Sequence, residues 1–205
     1  TGSVSAGIGV GSSGSTVSST IVEKNLFGKG ITLDGNVSLG TEKVSGNVGL
    51  SLPDFMNSGN TFNYNIFAIS TDFTNAGYES KKIGNSISTR YNVYEDVTLT
   101  TGVGADRDSI NTNSSASDLY KSREGDYLTF KGFYRISNDK RDSGFQPSKG
   151  YRVGFGQGLA LPGSDITYIE NNLNGAVYHS ISSDYILSLK SGFNTINSIG
   201  DEDIK

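Results

Sequence analysis

An all-β chain, folded as an antiparallel, up-and-down transmembrane β-barrel, is what this sequence predicts. Three observations carry the prediction. Segment after segment alternates apolar and polar residues with a period of two, between turns rich in Gly, Ser, Asn and Asp; successive side chains of a strand point to opposite faces, so each such segment has one apolar and one polar face. The segments run to ten or so residues, the length of a tilted membrane strand rather than the roughly five or six residues usual in soluble sheets. The polar faces carry mostly Ser, Thr, Asn and Gly, with scattered Lys43, Arg90, Lys131, Arg135, Arg152, Glu170 and Lys190, which suits an enclosed, hydrated interior better than the charged exterior of a soluble sandwich.

Taken in order, about eleven strands are expected, at roughly 3–10, 15–23, 30–39, 43–52, 61–72, 83–93, 96–106, 126–137, 150–161, 167–179 and 184–195. In the first, Val4, Ala6, Ile8 and Val10 share one face and Ser3, Ser5, Gly7 and Gly9 the other. Ile31, Leu33, Val37 and Leu39 form the apolar face of the third, and Val44, Val48, Leu50 and Leu52 that of the fourth. In the fifth the apolar phase changes after Ile66, since Phe67 and Ile69 follow on the other parity; a β-bulge there would re-aim the side chains. Val97, Leu99, Val103 and Ala105 mark the seventh. Short connections fall at Gly40-Thr41-Glu42, Tyr94-Glu95 and Pro162-Gly163-Ser164-Asp165, and longer polar ones at 73–82 and 107–125. No stretch has a capped helical repeat, so almost no helix is expected. The regular meander makes neighbours in sequence neighbours in the sheet. One barrel domain spanning 1–205 follows. An odd strand count leaves two unpaired edges, which lipid does not tolerate, so the chain reads as part of a longer barrel.

Composition limits the function. The 205 residues include 27 Gly, 3 Pro, no Cys and no Trp, and carry a net charge of -4. Mean hydropathy is -0.33, and no segment approaches the ~20 apolar residues of a membrane helix. The mixed faces of barrel strands keep mean hydropathy low in any case. Without Cys there is no disulfide framework or thiolate metal site, and no Lys/Arg cluster suggests nucleic acid. Phe27, Phe55, Phe62, Phe73, Tyr91, Tyr94, Tyr127, Tyr151 and Tyr185 lie near strand ends. Interfacial girdles would place them there; so would the plain strand preference of aromatics.

Signals for catalysis are poor. His179 is the only histidine, and neither a zinc motif nor a nucleophile–base set can be assembled around it. Asp201, Glu202 and Asp203 superficially resemble a calcium-ligand run without EF-hand spacing. Gly-Val-Gly at 102–104 and Gly-Phe-Gly at 154–156 lie within strands, so they make no nucleotide loop.

Three motifs narrow the reading: Thr1-Gly2-Ser3-Val4-Ser5-Ala6-Gly7-Ile8-Gly9-Val10; the turn Glu23-Lys24-Asn25-Leu26-Phe27-Gly28-Lys29-Gly30; and Asp139-Lys140-Arg141-Asp142 followed by Phe145-Gln146-Pro147-Ser148-Lys149-Gly150. In this order and spacing they resemble the barrel domain of the Omp85 superfamily of Gram-negative outer membranes. The family's aromatic turn after strand four stands here as Leu52-Pro53-Asp54-Phe55, and its V-R-G-F/Y motif and amino-terminal POTRA domains are not in this sequence. The resemblance implies an assembly factor that works without covalent chemistry or cofactor. It implies a weak seam at the first strand, where Gly2, Ser3, Val4, Ser5, Ala6, Gly7, Ile8, Gly9 and Val10 pair with an incoming client strand. Unfolded outer-membrane β-barrel proteins, accessory lipoproteins of an assembly complex and the lipid bilayer are the implied partners. A translocation pore of the TamA or two-partner secretion kind, or a passive porin, is the competing reading. Taken alone, without the resemblance, the first-strand glycines read rather as relief of crowding inside a barrel. Asp139, Arg141, Asp142, Pro147 and Gly150 read as turn chemistry on the periplasmic side, with Arg141 pairing Asp139 or Asp142.

Overall fold

The computed structural model describes residues 2–11 and 14–199. Thr1 of the first motif and the acidic Asp201, Glu202 and Asp203 lie outside them. The strands are β1 (Gly2–Gly11), β2 (Gly14–Leu26), β3 (Ile31–Gly40), β4 (Lys43–Leu52), β5 (Thr61–Phe73), β6 (Tyr78–Tyr94), β7 (Val97–Thr112), β8 (Gly125–Asp139), β9 (Gly150–Ala160), β10 (Tyr168–Ser180) and β11 (Ile186–Ser198). They form one 11-stranded sheet whose spatial order is the sequence order, and each neighbouring pair is antiparallel. The meander expected from the alternation is the one observed.

Register sorts the side chains into two faces. Val4, Ile21, Gly35 and Val48 fall in one cross-strand row, continued by Ile66 and Asn85. This outer face carries the exposed apolar residues Val17, Val37, Val103, Leu128, Ile136, Leu173 and Leu189, among others. The opposite, inner face holds the polar residues. It also holds Asp106, Thr129 and Tyr127, among the few buried side chains described.

Three expectations are corrected. The fifth strand has no bulge: β5 pairs without a register break against both β4 and β6. The change of phase is a change of partner. Phe67 lies on the inner face over Gly84, where a Cβ would sit 2.7 Å from the Phe67 ring, and the small Ala68 takes the outer position. Bulges occur instead at Glu23/Leu26 and Asn92/Tyr94. Second, β6 begins at Tyr78 and β7 runs to Thr112, so much of the expected loops at 73–82 and 107–125 is strand. Both faces are polar there, which erases the alternation, and ion pairs hold the extension: Lys82 with Asp108 (3.7 Å) and Arg107 with Asp126 (2.7 Å). Third, the rest of 107–125 contains one short helix, α1 (Asp118–Lys121), whose Tyr120 stacks on Tyr78.

Candidate functional site: the free edge of the first strand

All ten residues of β1 are exposed. Among the described residues β1 pairs only with β2, from Gly2 opposite Glu23 to Gly11 opposite Gly14. β11, at the other end of the sheet, likewise pairs on one side only, with β10. Val4, Ala6, Ile8 and Val10 lie with Ile21, Ser19, Val17 and Ser15 on the outer face, and Ser3, Ser5, Gly7 and Gly9 on the inner, as the alternation predicted.

Of the four glycines in this strand, Gly2 sits against Glu23, where a Cβ would lie 3.0 Å from the carboxylate, while the other three have room beside them among the described residues. A Cβ at Gly9 or Gly11 would meet nothing within 4 Å, and at Gly7 only the Ser18 hydroxyl at 3.4 Å. At Gly102, by contrast, it would lie 2.5 Å from the Phe133 ring and 2.6 Å from the Ile87 carbonyl. At Gly7, Gly9 and Gly11 glycine thus removes cross-strand packing without seating a described neighbour, which weakens the strand.

The predicted turn residues do come together, at the rim where β1 begins. Asp139 closes β8 and accepts two hydrogen bonds from Arg141, from Nε and Nη2, each 2.7 Å; Asp139, not Asp142, is the arginine's partner. Asp142 instead accepts the backbone N–H groups of Ser148 (2.9 Å) and Lys149 (3.1 Å) and the Ser148 hydroxyl. These bonds push the Asp142 carboxyl down to about 2, because each favours the charged form. The Asp139 carboxylate likewise raises the pKa of the Arg141 guanidinium. Pro147 lies within the loop that Asp142 closes. Gly150 has φ +96, and a Cβ there would run into the Lys140 carbonyl, so this corner requires glycine. Lys140 reaches Asp96 at 3.8 Å, and the Asp139 N–H donates to the Asp96 carbonyl (2.9 Å), which ties the turn to the β6–β7 turn.

The interior charges divide. Lys131 lies 3.7 Å from Asp106, whose other oxygen takes Lys82 at 2.8 Å. Asp106 is 3% exposed and was not singled out in the sequence; the only signal for it is an acid on the polar parity of β7. Arg135 donates to Asn172 (3.4 Å), Arg152 lies 3.8 Å from Asp139, and Lys190 lies over the Tyr178 ring. Glu170 and Asn172 face Gly158 and Gly156 across the β9–β10 pair.

A long antiparallel meander with an apolar outer face and a polar inner face defines the wall of a membrane β-barrel. Comparison with known proteins agrees. Residues 25–205 match the Omp85 superfamily domain, and the chain belongs to that superfamily. It is 26% identical over 207 residues to the outer membrane protein assembly factor BamA of Neisseria meningitidis serogroup B, covering 92% of this chain and 26% of that protein. Its fold matches the crystal structure of BamA from Haemophilus ducreyi lacking POTRA domains 1-3, with TM-score 0.82 at 24% identity, over 97% of this chain and 42% of that one. The chain thus spans about a quarter of the curated relative and less than half of the solved one.

Proposed function

We propose that the chain is the amino-terminal part of the barrel domain of an outer-membrane protein assembly factor, and that β1 is its working edge. The observation that carries this is the match of residues 25–205 to the Omp85 superfamily domain, with a glycine-rich first strand leading the meander. An unfolded outer-membrane β-barrel protein docks its strand there by main-chain hydrogen bonds. Such pairing depends little on client side chains, so one edge serves many clients. No covalent step is needed: the exposed edge lowers the cost of forming the first pair, and the apolar outer face lets that pair sit in lipid. Accessory lipoproteins would act at the periplasmic rim, where the Asp139–Arg141 turn lies.

The test is a disulfide lock in the full-length protein. Cysteines replacing Ser5 and the facing position of the last barrel strand are expected to stop client insertion when oxidised and restore it when reduced. Undiminished insertion by the locked protein would rule out the edge mechanism.

A further inference from the structure

The rim at which β1 begins also carries the β2–β3 turn (27–30) and the β4–β5 turn (53–60), and each holds one large apolar residue in a left-handed backbone. Phe27 has φ 58 and Met56 φ 56. For bulky residues this conformation is a genuine outlier, and it persists only where the surroundings over-determine it. They do so here. In the first turn Asn25 accepts the Gly28 N–H through its carbonyl (3.0 Å) and the Gly30 N–H through its side chain (2.7 Å). In the second, Asp54 accepts the Gly59 N–H (2.8 Å) and the Asn57 N–H (3.0 Å), while Phe55 donates to the Asn60 carbonyl (2.9 Å).

The strain does not serve packing within the chain. Phe27 is 84% exposed and Met56 83%. The two turns are neighbours, since a Cβ on Gly30 would lie 3.8 Å from Pro53. The direction of the second turn is fixed by an aromatic stack: Phe55 lies on Phe62 with centroids 4.9 Å apart. Phe62 is on the outer face, opposite Leu52 and Thr89. The turn therefore folds over the outer side of the wall, not into the lumen. Directly above runs the apolar outer row of Leu33 and Leu50, and Lys29 sits two residues after Phe27. An apolar tip beside a lysine, continuous with a lipid-facing band, matches the headgroup level of a bilayer.

We propose that Phe27 and Met56 are paired membrane anchors that enter the headgroup–acyl boundary of the leaflet at this rim and hold the β2–β5 side of the wall in the bilayer beside the β1 edge. The proposal rests on the membrane-barrel reading, so its test must separate the two.

In the full-length protein in phosphatidylcholine nanodiscs, single nitroxide labels at positions 27, 56 and 48 report collisions with oxygen and with a water-soluble nickel chelate. Val48 lies in the outer apolar band and serves as the reference. Labels at 27 and 56 are expected to favour oxygen, at a shallower depth than the label at 48. Nickel-accessible labels at 27 and 56 beside a lipid-buried label at 48 overturn the anchors and leave the barrel standing. Labels at 27 and 56 shielded from both agents overturn the anchors in favour of a covering protein. A water-exposed label at 48 overturns the barrel reading and the anchors with it. Phe27→Gly closes the remaining gap. Glycine relaxes the left-handed backbone, so the turn cannot fail by strain, and a lower urea midpoint in bilayers is expected. An unchanged or higher midpoint overturns the proposal.

Discussion

The β1–β2 hairpin and the β6–β8 staves are built from the same alternation and end as opposites. β1 has ten residues and every one is exposed. β6, β7 and β8 have 17, 16 and 15. Their inner face is stitched by Lys82, Asp106 and Lys131, and above it the ring stack Phe73–Tyr78–Tyr120 closes the rim. Glycine marks both regions, with contrary effect. Gly84 and Gly102 are seats for the Phe67 and Phe133 rings, whereas Gly9 seats nothing. A glycine filled by a neighbour's ring locks two strands together; a glycine left empty only subtracts packing and adds backbone freedom. The staves are thus cross-braced by filled glycines and charge pairs, and β1 has less packing to hold it, which makes it the less stable of the two regions.

The largest expected break in this contrast comes from the stave interior. Asp106→Ala leaves Lys82 and Lys131 facing each other across a site that is 3% exposed. Removing one partner of a buried pair costs about 3–5 kcal/mol. The two lysines keep part of their hydration, so about 2–4 kcal/mol is expected in urea unfolding followed by heat-modifiable gel mobility. A loss under 1 kcal/mol would show that the staves do not depend on this network.

Much of that wall was legible in the sequence, for a physical reason. Where one face meets lipid and the other water, period-two alternation is enforced, and Val4 to Val10, Ile31 to Leu39 and Val97 to Ala105 show it. The same logic explains the failures. The extensions of β6 from Tyr78 and of β7 to Thr112 are polar on both faces, so they resemble loops. At Phe67 a lumenal ring broke the pattern without breaking the register, because its seat, Gly84, lies on another strand. Of the candidate site, the β1 faces and the turn residues could be read directly. The choice of Asp139 over Asp142 by Arg141 could not, since both carboxylates lie within two residues of it. Nor could the emptiness around Gly9, which depends on what stands across from it.

That emptiness predicts a pair of substitutions with opposite signs. Gly102→Ala forces a Cβ to 2.6 Å from the Ile87 carbonyl, and overpacking of this kind costs about 1–3 kcal/mol. Gly9→Ala meets nothing within 4 Å and removes only the entropic penalty of glycine, for a gain of about 0.5–1 kcal/mol. The same unfolding assay reads both. Client insertion is expected to slow in Gly9→Ala despite the added stability, because a stiffer first strand opens less readily. Equal losses of stability in the two variants would erase the distinction between filled and empty glycines.

The smallest effect lies at the braced turn, the counterpart of the staves on the opposite rim. The Asp142 carboxyl, at about 2 in the folded turn, has an unfolded value near 3.9. A depressed carboxylate contributes stability above its unfolded pKa and loses it as pH falls through the folded one, so the turn should loosen between about pH 4 and pH 2. Phe145, at the turn's tip and 91% exposed, offers a readout, since pepsin cleaves beside phenylalanine in this range. Cleavage at Phe145, scaled to a disordered peptide of the same sequence, should rise as pH falls from 4 to 2. In Asp142→Asn it should already be high at pH 4 and stay flat. The amide keeps the size of the carboxylate and some acceptor capacity but carries no charge to hold the two backbone N–H groups and the Ser148 hydroxyl. A parallel rise in both proteins would assign the loosening to other carboxylates and leave Asp142 a spectator of the Asp139–Arg141 brace.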